Sequence, residues 1–107
     1  VTLEARVAQR VQRGVRWLNT HYPGWPRRIT LKQFDFEDPC QCVVGFVCRT
    51  PERDAFSVFH ERHPRADAER LGFDWGLESD YDTERQALSR AWQVAIRVAR
   101  EGLRGRA

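Results

Sequence analysis

The chain of 107 residues is long enough for one hydrophobic core without disulfide or metal support, and its 41% apolar and 31% charged residues describe a globular domain, not a disordered one. No apolar run approaches membrane-spanning length. The net charge of +3 conceals a layout in three blocks. Residues 1–33 hold seven basic side chains and one acidic, residues 34–84 five and thirteen, and residues 85–107 six and one, so net charges of +6, −8 and +5 follow one another. Such an asymmetry bears on partners and solubility more than on fold.

The segment VTLEARVAQRVQRGVRWLNTHY has helical period. Leu3, Val7, Val11, Val15 and Leu18 form one stripe, with Arg6, Arg10 and Arg13 on the opposite face. Thr2 is placed to cap the start, Pro23-Gly24 closes the segment, and Gly14 allows a neighbour to pack closely. With arginines interrupting it, Arg16 included, residues 1–20 are not expected to be a signal peptide. In the turn YPGWPRR (22–28) each proline pushes its predecessor out of the α region, and Trp25 is expected to fold back onto the core. Residues 29–38, ITLKQFDFED, alternate in part and read as a short strand or an extended segment with a tight turn.

Asp38-Pro39 has the form of a helix start, followed by an apolar face of Cys42, Val43, Phe46 and Val47; VVGFV would also serve as a buried strand. Thr50-Pro51 repeats that form ahead of Ala55, Phe56 and Phe59, and Pro64 ends the helix. A short helix is expected over 65–71, closed by Gly72, and then an acidic loop FDWGLESDYDTE. Thr83 and Gln86 have capping-box spacing for a last helix whose stripe is Leu88, Ala91, Trp92, Ala95, Ile96 and Ala99; Gly102 is expected to end it, leaving 103–107 as a frayed tail. The whole reads as mainly α: a single helical domain over 1–107, with long helices at both ends, short ones between and at most one short β element.

The stretches GVRWLNTHYPGWPRRITLKQFDFEDPCQCVVG (14–45), RLGFDW (70–75) and YDTERQALSRAW (81–92) resemble a group of small uncharacterised proteins of actinobacteria and their phages. That group shares a helix, a PGW turn, a Cys-Val-Leu-Gly-Gln stretch and a later Leu-Gly-Phe. This sequence departs at Val44, where the group has Leu, and at Phe46, where it has Gln. The resemblance agrees with a composition of seventeen Arg to one Lys, which also has a bland origin in a GC-rich genome.

Three cysteines lie within DPCQCVVGFVCR (38–49), and two histidines follow. Cys40, Cys42 and Cys48 with His60 or His63 would make a Cys3His zinc set, but C-x-C is tighter than the knuckle spacing that aims two thiolates at one ion. On a helix Cys40 and Cys42 would point about 200° apart. Buried thiols in a reducing cytosol are the expected reading, ahead of zinc and of a cysteine nucleophile served by His60 or His63. Asp80, Asp82 and Glu84 lack the Gly and Glu positions of a calcium loop and read as a solvated acidic loop. With no catalytic constellation, no enzyme and no cofactor are expected. The first functional expectation is a cytoplasmic accessory protein that binds another protein through Phe73, Trp75, Glu78, Asp80, Tyr81 and Asp82, aromatics that anchor and charges that steer. The alternative is a nucleic-acid binder using Arg6, Arg10, Arg13 and Arg16 of the first helix with Arg90, Arg97, Arg100 and Arg104 of the last.

Overall fold

A computed structural model of the chain describes residues 2–38, 41–74 and 81–104, and of Arg65, Tyr81 and Arg104 only the backbone. The elements in order are α1 (Leu3–His21), a 3-10 turn (Trp25–Arg28), α2 (Val43–Cys48), α3 (Ala55–His60), α4 (Arg65–Arg70) and α5 (Tyr81–Arg104). The protein is mainly α, and the described residues contain no strand. Residues 29–38 take the turn form of the expectation, with bends held by Gln33 N–H to Thr30 O and Asp38 N–H to Asp35 O.

The local signals work where their partner is three residues away. Thr2 Oγ1 accepts from Ala5 N–H at 3.1 Å and starts α1. Gly24, at φ +80°, turns the chain after α1, and Trp25 folds back to 1% exposure. At the end of α4, Gly72 at φ +76° donates to Glu69 O while Phe73 N–H reaches Ala68 O, a Schellman closure.

Four boundaries differ from the sequence expectation. Asp38-Pro39 does not start α2: the helix begins at Val43, and Cys42 caps it with Sγ accepting from Gly45 N–H at 3.4 Å. Thr50 holds a preceding turn with Arg53, and Asp54 caps α3 through Oδ1 to Ser57 N–H at 2.9 Å. A carboxylate one residue before an apolar run outcompetes a more distant hydroxyl. Helix α5 begins at Tyr81, so Thr83 lies in its first turn and does not cap it. It also continues through Gly102 to Arg104, since a solvent-facing glycine costs a helix only about 1 kcal/mol.

The core sits where α1 and α5 meet. Val7, Val11 and Leu18 of α1 face Leu88, Trp92 and Ile96 of α5, all at 2% exposure or less, and Val43, Val44 and Val47 of α2 with Phe59 of α3 close the other side. Gly14 makes this approach possible: a Cβ there would stand 2.8 Å from Cζ2 of Trp92 and 2.2 Å from the carbonyl oxygen of Leu71. Trp92 stacks on Phe73 at 5.5 Å, lies edge-on to Trp25, and donates Nε1–H to Gly72 O at 2.6 Å.

Candidate functional site

The α1–α5 contact is locked on one flank by a polar hub. Arg10 reaches across from α1 to pair with Glu84 Oε1 at 2.5 Å, donates from Nε to Glu69 O at 2.7 Å, and from Nη2 to Asp74 O. Glu84 is 3% exposed, the buried charged residue among those described. The bidentate fork of a guanidinium suits this task, because it serves a carboxylate and two carbonyls from one plane. Arg10 is therefore committed to the fold, and Glu84 is no part of a solvated acidic loop.

On the opposite flank the two helices leave an open groove of about 770 Å³. Ala8, Val11, Gln12, Val15 and Asn19 supply one wall, Ala91, Val94, Ala95, Val98 and Ala99 the other, and the turn at Pro23, Gly24 and Pro26 closes one end. Both walls follow helical spacing, so each is one continuous face of its helix. Among the described residues no charged side chain lines the groove, and its polar ones are Gln12 and Asn19. Asn19 Oδ1 is occupied by Trp25 Nε1–H at 2.9 Å, which fixes the indole under the turn. Val94 and Val98, 58% and 63% exposed, are the large apolar side chains presented to solvent among the described residues. A contiguous apolar face of this kind marks a contact surface more often than a bare solvent boundary.

A smaller cavity of about 300 Å³ lies between Trp17, His21 and Tyr22 of the first helix and its cap and Phe59 and His63 around α3. Trp17 stands within 4.9–5.6 Å of all four rings and of Phe73. His63 Nδ1 lies 3.5 Å from Asp67 Oδ2, and His60 Nδ1 is 3.0 Å from the His63 carbonyl oxygen.

The residues singled out from sequence are dispersed by the fold. Phe73 is 4% exposed and belongs to the core, stacked on Trp92. Trp75, Glu78 and Asp80, together with the Tyr81 side chain, lie outside the described residues. Asp82 is exposed and pairs with Arg85 at 3.4 Å, one turn along α5. Arg6, Arg13, Arg16, Arg90 and Arg97 are exposed, Arg100 is half-buried, and the Arg104 side chain is outside the described residues. Among the described residues no three His, Cys, Asp or Glu gather to hold a metal ion. Cys40 is outside them; His60 is exposed on α3, and Cys42 and Cys48 are buried in α2 and its cap. Burial pushes the Cys42 thiol up to about 11 and raises Cys48 as well, where Tyr22 is its hydrogen-bonding neighbour. Both shifts oppose thiolate formation, the reverse of what a nucleophile needs.

Sequence reasoning included Ala91, Ala95 and Ala99 in the core stripe and passed over Val94 and Val98. Their signal was present: with them the apolar arc of α5 spans more than half of the helix, wider than one neighbouring helix covers.

The fold defines a small mainly α protein built on a pair of long helices joined by short ones. No family model matches the chain, and no curated protein or solved structure matches it either. Among the described residues no helix is long and apolar enough to cross a membrane.

Proposed function

We propose that this is a small non-catalytic accessory protein that acts by binding another protein, through a helical segment seated in the groove between α1 and α5. The observation that carries the reading is the open groove, with no charged side chain among its described lining and Val94 and Val98 exposed on its wall. Two facing rows of small and branched side chains suit the ridge of a third helix, which docks by apolar anchors at helical spacing. Buried thiols in place of disulfides support a cytoplasmic setting, and the resemblance noted above supports an actinobacterial or phage origin. Selection of helical peptides from a random display library on the protein, with counter-selection on a Val94→Glu, Val98→Glu variant, tests the reading. Peptides that depend on the groove are the expected result; a library exhausted without one ends it.

Nucleic-acid binding remains the second reading, supported by the exposed Arg6, Arg13, Arg16, Arg90 and Arg97. It draws nothing from the apolar groove and loses Arg10 to the core. No affinity for DNA or RNA at low salt removes it.

A further inference from the structure

We infer that the groove's occupant is an acidic amphipathic helix of another protein, one whose apolar face meets the α1–α5 groove and whose flanks carry Asp and Glu. The inference rests on the protein-binding reading and adds the chemistry of the partner. Its basis is the rim. On α5 the row of side chains immediately outside Val94 and Val98 is Arg90, Arg97 and Glu101, all exposed. Outside Gln12 on α1 stands Arg16, also exposed, with Arg13 a turn before it; these two border a shallower concavity with Ala8, Gln9 and Gln12. At the closed end, exposed Arg27 follows Pro26. Against these arginines stand Glu101 and, in the first turn of α1, Glu4.

Among the described residues none of Arg16, Arg27, Arg90 or Arg97 is engaged in an ion pair, whereas Arg10, Arg53, Arg70 and Arg85 are. The chain thus places the basic charges that hold the fold against its own carboxylates and leaves these four without an ion-pair partner among the described residues. An apolar floor with a positive rim is complementary to a helix with an apolar stripe and negative flanks, and it repels one with positive flanks.

The same rim argues against a second copy of this chain. A two-fold contact through the groove sets the same patch against itself, so the row with Arg90 and Arg97 in one copy would meet the basic rim of the other. A duplex nucleic acid would satisfy the arginines but leave Val94, Val98 and the alanine rows against water or phosphate.

The test uses the full chain and two fluorescein-labelled helical peptides of 18 residues. They share one Leu/Ala apolar face, taken from the consensus of groove-dependent library peptides, and carry either Glu or Lys on both flanks. Anisotropy at about 50 mM salt should show the Glu peptide binding at least about tenfold tighter, with the gap closing in high salt as screening shortens the reach of the rim charges. An Arg90→Glu, Arg97→Glu variant, altered only at exposed positions, should reverse the preference. Equal or tighter binding of the Lys peptide overturns the acidic partner and leaves the protein-binding reading standing; binding of neither peptide overturns both. A concentration-dependent dimer in sedimentation that Val98→Glu abolishes overturns it in favour of self-association. Binding of a 20-base-pair duplex that competes with the Glu peptide and survives Val98→Glu overturns it in favour of nucleic acid.

Discussion

Arg10 and Glu84, separated by 74 positions in the chain, meet at 2.5 Å with side chains 16% and 4% exposed. A pair so withdrawn from water is held together by what its loss would strand, not by Coulomb attraction alone. Replacing Glu84 by Gln leaves the guanidinium buried against two carbonyls without a counter-charge. Urea unfolding of Glu84→Gln should show a loss of about 3 kcal/mol, and an Arg10→Met, Glu84→Leu double variant should recover much of it. A single-variant loss below about 0.5 kcal/mol would mean that water reaches the pair in solution.

Three glycines separate packing from conformation. Gly14→Ala gains helix propensity but drives a methyl into the Leu71 carbonyl and the Trp92 ring, so a net destabilisation of about 2 kcal/mol or more is expected. Gly102→Ala meets nothing within 4 Å inside the same kind of helix and should stabilise by about 0.5–1 kcal/mol. Gly24→Ala also meets nothing, yet its φ of +80° makes it costly by about 1 kcal/mol. Thermal melts of the three variants should fall in that order of sign.

Alkaline pH should weaken the fold through Cys42. Its thiol is raised from 9.0 to about 11 by burial, so between those values the unfolded chain loses a proton that the folded one keeps. Stability is therefore unaffected by this group below pH 9 and falls as pH rises towards 11. Cys42→Ser, which puts a hydroxyl oxygen in place of the sulfur that accepts from Gly45 N–H, should flatten that part of the profile. Denaturant midpoints at pH 7, 9 and 10.5 read the effect, and identical slopes in both proteins would refute the assignment.

The cap of α3 gives a discriminating pair. Asp54→Ala removes the acceptor of both Ser57 N–H and the Ser57 hydroxyl and should lower the melting temperature measurably; Thr50→Ala touches only the preceding turn and should lower it less. Those same hydrogen bonds lower the Asp54 carboxyl below its ordinary 3.8, so its contribution is present above that value and is lost as pH falls through the lowered one. Equal losses for the two variants would return the cap to Thr50.

What could be read in advance follows the range of the interaction. The Thr2 cap, the turn around Gly24, the close approach at Gly14 and the Gly72 closure each rest on a residue type whose chemistry permits few alternatives. Cys42 displaced Asp38-Pro39 as the cap of α2 because a sulfur acceptor is a weak prior, and Asp54 prevailed over Thr50 because two polar residues competed for one helix start. Arg10 was placed on a solvent face since period alone cannot show that a carboxylate 74 positions away turns inward to meet it. The groove was illegible for the same reason. A stripe of Ala91, Val94, Ala95, Val98 and Ala99 announces an apolar face, and only the packed neighbours decide whether anything in the chain covers it.

The Arg10–Glu84 and Gly14–Trp92 contacts have a consequence for biosynthesis. The α5 residues that bury the inner face of α1, Leu88, Trp92 and Ile96, come in the last quarter of the chain. At roughly 5–20 residues per second the ribosome takes several seconds to reach them. Throughout that interval Val7, Val11 and Leu18 lack their α5 partners, and closing the loop to Glu84 comes late. The nascent chain should therefore stay short of its full compaction until α5 is available, and nascent chains stalled before Leu88 should be more open to protease than the finished fold.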